Sequence, residues 1–481
     1  MFKLLPFRSL RRKYNIYSQI SREGWGVAEL PSLRAGTNPE NRVCSEPSLG
    51  YCEAAHMRAL SFLLGIVAAV QLHAHENWPQ FRGPDADGKS DAKGLPIQWS
   101  DTEHVKWKTA TPAGHKAWSC PVVYGKQIWL TTATKDGKKL SALQIDRDTG
   151  KIEKDLLLFD VEKPQFCHDF NSYASPTPVL EEGRIYISFG SPGLACLDTK
   201  TGEKIWERRD FVCNHYRGAG SSPIIYGNLF ILPFDGSDFQ FIVGLDKATG
   251  KTIWKTDRSI DFQDLVNGKP DSEGDWRKAF STPRIAQFEG RDILLSLGSK
   301  ALYAYEPQTG KDLWRVEDRG NHSGSSQPAV ADGLVYSCMG FPKGGKSTLL
   351  AVKPDQARGV LDDSHIVWKA NRNVPQKPSV IIDNGLLYMI DDGGICSCLD
   401  AKTGQEFWRE RVQGNYSASP LLIDGRLYVF NEEGKCTALA SGREFKKLGE
   451  SIMPSGIMAT PAIAGKAMFL RTKTDLYRIE E

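Results

Sequence analysis

The sequence has almost no net charge: 61 Lys and Arg against 58 Asp and Glu leave +3 over 481 residues. Residues 1–56 hold eight basic and five acidic side chains, which accounts for the whole excess. The remainder therefore lacks the basic field that nucleic acid requires. Long apolar runs are also missing. The longest, Ala59 to Leu72, has about 14 residues, short of the roughly 20 that a transmembrane helix needs. No cysteine ends that run, which argues against a lipid anchor. No His/Cys group has metal-ligand spacing, and no Gly-x-Ser-x-Gly nucleophile element occurs. The stretch Gly340–Thr348 has a superficial likeness to a phosphate loop. It falls between two strand patterns with no helix to follow, and reads as a loop.

What the chain does have is glycine and aromatics: 45 Gly, 12 Trp and 15 Tyr, the composition of short strands joined by tight turns. Residues 1–56 show no period of 2 or 3.6 and read as a disordered extension, with Met57 a candidate true start. Met57-Arg58, the apolar run and His73-Ala74 read as a secretory signal peptide over 57–74. An internal apolar helix or a signal anchor is the competing reading. Residues 75–104 form a lead-in, and from 105 to 481 the chain repeats itself.

One half of the repeat is a small residue and Pro, an apolar segment, a turn Gly and a strand. It begins at Pro121, Pro178, Pro223, Pro283, Pro328, Pro420 and Pro461, with a degenerate copy carrying Val380 in place of Pro. The other half is Asp-x-x-Thr-Gly-x-x-x-Trp. It occurs as Asp198…Trp206, Asp246…Trp254 and Asp400…Trp408, with a near copy Glu306…Trp314. Asp146…Gly150 keeps only the turn, and Trp368 closes the irregular fifth copy. Asp and Thr bond the backbone of a tight turn and Gly supplies its positive φ. Each unit thus reads as four antiparallel strands. The Trp side chains (Trp107, Trp206, Trp254, Trp314, Trp368 and Trp408) are expected to fill the wedges between sheets arranged in a ring. Starts about 49 residues apart give eight units, near the propeller repeat length. The last unit lacks its fourth strand, and Val105–Thr109 looks like the missing piece. The expected fold is all-β: an eight-bladed β-propeller closed by an N-terminal strand, which leaves no open edge.

These residues resemble the quinoprotein-type, PQQ-like propeller family, which includes pyrroloquinoline quinone (PQQ) dehydrogenases and outer-membrane assembly factors. Trp78-Pro-Gln-Phe-Arg-Gly-Pro84 resembles the opening of secreted bacterial members. The resemblance implies the fold, and two alternatives for activity. A PQQ dehydrogenase of alcohols or sugars would need Ca²⁺ held by acidic and amide oxygens and a carboxylate base. Many such enzymes also have adjacent cysteines over the quinone. This chain has no Cys-Cys pair, and its loops offer few carboxylates, chiefly Asp169 and Asp275.

Function is expected in what the copies do not share, the loops entering the inner strands. Four of the nine histidines fall there: His115, His168, His215 and His322. With Trp118, Asn171, Tyr173, Tyr216, Arg217, Arg277, Gln376 and Tyr416 they form the candidate ligand-binding set; the alternative is that each residue bonds within its own loop. Cys167 and Cys213 occupy similar places in successive loops. At a radius of roughly 8 Å such points lie about 6 Å apart, within disulfide reach, so a bridge is expected. The sequence therefore reads as an exported, periplasmic or secreted, monomeric and non-catalytic propeller needing no cofactor. Its partner would be an envelope protein or a small polar ligand. The alternative is a PQQ- and Ca²⁺-dependent oxidoreductase.

Overall fold

The computed structural model describes residues 75–354 and 356–481. The extension over 1–56 and the signal peptide over 57–74 lie outside the described residues. Eight antiparallel blades form as the repeat predicts. The first runs outward as Val122–Tyr124, Gln127–Ala133, Lys139–Asp146 and Ile152–Asp160. The middle strands are buried almost throughout and the outermost strands alternate, because both faces of a blade meet neighbours while its rim meets water. The core accordingly lies between blades: Trp129 and Ala142 of the first pack with Leu180, Ile185 and Ala195 of the second.

The ring closes as expected. Val105–Ala110 pairs antiparallel with Asp475–Ile479, placing Lys108 opposite Tyr477 and Thr109 opposite Leu476. Five of the six motif tryptophans, Trp107, Trp206, Trp254, Trp368 and Trp408, then seat on the turn of the following blade. Trp206 donates to the Lys247 carbonyl at 2.9 Å and Trp368 to that of Ala401 at 2.9 Å. Trp107 repeats the contact across the closure, donating to the Arg147 carbonyl at 3.0 Å. A Cβ on Gly150 would come within 2.6 Å of its ring. The turn glycine therefore serves twice: it takes φ +73° and leaves room for the neighbouring indole. The blade after Trp314 lacks this turn, and Gly359–Leu361 instead adds in parallel beside the strand carrying it.

The small residue before each Pro also has a use. Its hydroxyl accepts the backbone N–H of the equivalent residue in the preceding blade. The series runs Cys120 to Thr177 (3.0 Å), Thr177 to Ser222 (2.9 Å) and Ser222 to Thr282 (3.1 Å). It continues from Gln327 to Ser379 (2.9 Å), Ser379 to Ser419 (3.0 Å) and Ser419 to Thr460 (2.9 Å). Where Gln327 replaces the hydroxyl, its amide donates to the Pro283 carbonyl at 3.1 Å. This belt satisfies buried amides that no sheet reaches.

The lead-in runs along the inner strands. Trp78 bridges Val123, the Pro79 carbonyl accepts from Leu180, and Lys89–Ser90 pairs in parallel with Leu422 and Ile423. Between these points Arg82, 2% exposed, donates to the Val380 carbonyl at 2.8 Å. One segment thereby ties together the inner strands of four blades.

Gly340–Ser347 fits the phosphate-loop spacing Gly-x-x-x-x-Gly-Lys-Ser letter for letter. It nevertheless connects Leu334–Cys338 to Leu349–Val352 in one blade, and Phe341–Pro342 pairs with Asn321–His322. No helix N-terminus stands there to hold a phosphate.

Candidate functional site

A cavity of about 730 Å³ lies at the centre of the ring. Side chains from the connections into all eight blades meet in its wall: Trp118, His168, Arg217, Lys278, His322, Lys377, Ser417 and Met458 in blade order. Belt residues Thr177, Ser222 and Ser419 line it, as does Phe81 of the lead-in. It therefore reaches from the loops past the belt to the lead-in.

Five members of the sequence-derived set, Trp118, His168, Asn171, Arg217 and His322, share this wall. Trp118 donates to the Phe170 carbonyl at 3.0 Å, and His168 Nδ1 accepts the Phe170 N–H at 3.1 Å. Asn171 donates to the Arg217 carbonyl at 3.0 Å, joining the second and third loops. His322 stacks on Trp276 with ring centroids 5.9 Å apart. Burial and the nearby Lys278 push its pKa down to about 4, so it is a neutral imidazole.

The other members are held elsewhere. His115 Nδ1 bonds Thr132 Oγ1 at 3.1 Å within its own blade. His215 is buried, its Nε2 accepts the Ser191 N–H at 3.0 Å, and burial lowers its pKa to about 4. Tyr173 donates to the Gln165 carbonyl at 2.8 Å and its ring covers Gly137. Tyr416 is a core residue whose hydroxyl donates to the Gln413 carbonyl at 3.0 Å. Arg277 is engaged by Asp264 at 2.9 Å, and Gln376 donates to Ser347 at 3.0 Å. Tyr216 stands behind the wall, under the Lys278 ammonium. The four histidines therefore do not converge on one ligand: His168 and His322 line the cavity, while His115 and His215 serve their own loops.

The expected Cys167–Cys213 bridge is absent, and both are free thiols. The Cys213 sulfur turns inward beside His215 at 3.7 Å, whereas that of Cys167 lies 3.7 Å from the Arg217 carbonyl. Equal place in the sequence did not give equal side-chain direction.

The sequence-derived set held Arg217 but omitted its polar companions in the wall, Asp275, Lys278 and Lys377. Arg217 meets the Asp275 carboxylate at 3.0 Å, and Lys278 contacts the same carboxylate while donating to the Asp275 carbonyl at 2.8 Å. Lys377 bonds Glu432 at 2.9 Å and lies 4.4 Å from the Phe170 ring centroid. The loop motif Asp275-Trp276-Arg277-Lys278 holds this signal, but nothing in it says that Arg277 faces away and Lys278 inward. Lining the cavity are Arg217 and Lys278 sharing one carboxylate, two imidazoles, hydroxyls and aromatic rings. That chemistry suits a polar or anionic group carried on an apolar body.

It does not suit Ca²⁺ beside a quinone. The ion takes six to eight oxygen ligands, normally with several carboxylates. Asp275 is the one carboxylate residue in this wall, and two cations already engage it. Among the described residues no three His, Cys, Asp or Glu side chains are grouped to hold a metal.

A family model described as "Outer membrane protein assembly factor BamB" matches residues 125–266 and 238–480. The chain is 22% identical over 209 residues to an outer membrane protein assembly factor BamB of Legionella pneumophila (strain Paris), covering 41% of this chain and 50% of that protein. It is 25% identical over 151 residues to a quinohemoprotein alcohol dehydrogenase of Comamonas testosteroni, covering 29% of this chain and 19% of that one. The chain thus spans half, or less, of the length of these relatives. A solved europium-containing methanol dehydrogenase superposes with a TM-score of 0.59 at 11% identity, covering 84% of this chain and 98% of that one. That likeness speaks for the fold.

Proposed function

As the chain belongs to the PQQ-like propeller family described as outer membrane protein assembly factor BamB, we propose that it is an exported, non-catalytic binding module. Its loop face holds an envelope component, and its site of action is the periplasm or the cell exterior. The observation that carries this reading is the axial wall, to which the connections of all eight blades contribute while the blades keep one repeated frame. Varied loops on a rigid ring are the usual means of building a binding surface. Among the described residues no helix is long and apolar enough to cross a membrane. The chain acts as a monomer in this reading, and no cofactor is needed.

The test has two arms. Purified protein supplied with PQQ and Ca²⁺ is expected to reduce no dye when offered alcohols or sugars; sustained turnover would overturn the reading. An envelope protein that binds the purified chain should bind at least tenfold more weakly to a His168→Ala/Arg217→Ala/Lys377→Ala variant. Equal binding would place the contact elsewhere.

A further inference from the structure

Lys278 has surroundings quite different from those of a surface lysine. It is 1% exposed yet belongs to the cavity wall. Its Nζ lies 5.1 Å from the Tyr216 ring centroid and 6.0 Å from that of Phe280. Asp275 accepts from it through both carbonyl and carboxylate. Arg217 approaches the same carboxylate at 3.0 Å, and His322 completes the titratable groups around it. An amine, a carboxylate that can take and return a proton, and a guanidinium thus meet at the edge of a partly apolar space.

We propose that Lys278 captures carbonyl compounds, condensing with the aldehyde or ketone group of a small molecule in the axial cavity to form a reversible imine. The amine lone pair attacks the carbonyl carbon. The C=O π pair moves to oxygen, beside Arg217, and that oxygen takes up a proton. The nitrogen passes a proton to Asp275, giving a neutral carbinolamine. Asp275 returns the proton to the hydroxyl, which leaves as water while the nitrogen lone pair forms C=N, and the resulting iminium N–H releases to solvent a proton that replaces the one the oxygen had taken up from solvent. The balance is amine plus carbonyl giving imine plus water, with no oxidant or reductant. Loss of the ammonium proton favours the step: burial and the Arg217 charge bring the Lys278 pKa down to about 7. An ordinary lysine near 10.4 has a share of neutral amine roughly a thousandfold smaller at pH 7. This step goes beyond the binding role proposed above, and it requires only the cavity and not the envelope partner.

The test uses the full folded protein, benzaldehyde below one equivalent, and cyanoborohydride, which reduces an imine to a stable benzylamine. Peptide mapping then locates the benzyl group. At pH 7 Lys278 is expected to carry at least ten times the label of any other lysine. That preference should vanish when the same labelling is done in urea, and should fall at pH 10, where surface lysines also lose their protons. Asp275→Asn should slow labelling at Lys278 at least fivefold. Label spread over surface lysines with Lys278 unmodified would overturn the proposal. So would equal labelling of Lys278 in folded and unfolded protein. Neither result requires a variant to fold, and neither bears on whether the loop face binds an envelope protein.

Discussion

Gly150→Ala tests whether the ring is held shut by an indole seated on a turn. Gly150 and Gly385 both sit at φ +73°. A Cβ at Gly385 would meet nothing within 4 Å, whereas one at Gly150 would lie 2.6 Å from Trp107 Cδ2. Gly385→Ala should therefore cost only the left-handed backbone conformation, about 1–2 kcal/mol. Gly150→Ala carries the same term plus the displacement of Trp107. That displacement weakens the 3.0 Å hydrogen bond to Arg147, worth about 1 kcal/mol, and forces overpacking of about 1–3 kcal/mol. The difference between the two variants should be about 2–4 kcal/mol. Urea unfolding, followed by tryptophan fluorescence and circular dichroism together, measures it. Trp107→Ala should lose a similar amount, and Gly150→Ala should cost little more in that background, because the clash is gone. Equal losses for Gly150→Ala and Gly385→Ala would refute the reasoning.

Other consequences are as concrete. Asp235 and Arg258 are each 1% exposed and paired at 2.7 Å, so Asp235→Ala should lower stability by about 3–5 kcal/mol, while Asp235→Leu with Arg258→Met should lose much less in the same denaturation assay. Thr177→Val removes the acceptor of the buried Cys120 N–H and should cost about 1–3 kcal/mol by urea midpoint. His215 has a folded pKa of about 4 against an ordinary 6.5, so the unfolded chain binds a proton that the folded chain refuses between those values. Its contribution is complete above pH 6.5 and is lost as pH falls to 4, up to about 3 kcal/mol; a His215→Gln variant should show a flatter stability profile across that window. Mass measured with and without reductant should be unchanged for the described cysteines, with Cys167 the first to react with a thiol reagent.

The architecture was legible because a propeller writes each blade into the sequence separately. The Asp-x-x-Thr-Gly turn and the Trp of the preceding blade recur because four of the indoles rest on the turn glycine, so Trp206 on Gly250 and Trp107 on Gly150 are one physical event. Even the closing strand was visible, since the last unit was one strand short. The site was legible only in part. A loop sequence reveals which side chains are present but not which way they face. Arg277 and Lys278 are neighbours in the chain, yet Asp264 holds one aside and Asp275 keeps the other at the cavity. His215 seemed a ligand because it is polar and lies in a loop, but the Ser191 amide had claimed its nitrogen. The lead-in carried no periodic signal at all: its backbone contacts with three inner strands and the Arg82 bond to a fourth blade depend on a ring that exists only once the rest has folded.

Site-specific photo-crosslinking in the native envelope tests the functional account most directly. A photoreactive phenylalanine analogue would replace Phe170 at the cavity rim, and in a second variant Lys402, in a turn at the other end of the blades. The account predicts one dominant adduct from position 170 and none from position 402. Adducts from 402 with none from 170 would contradict it.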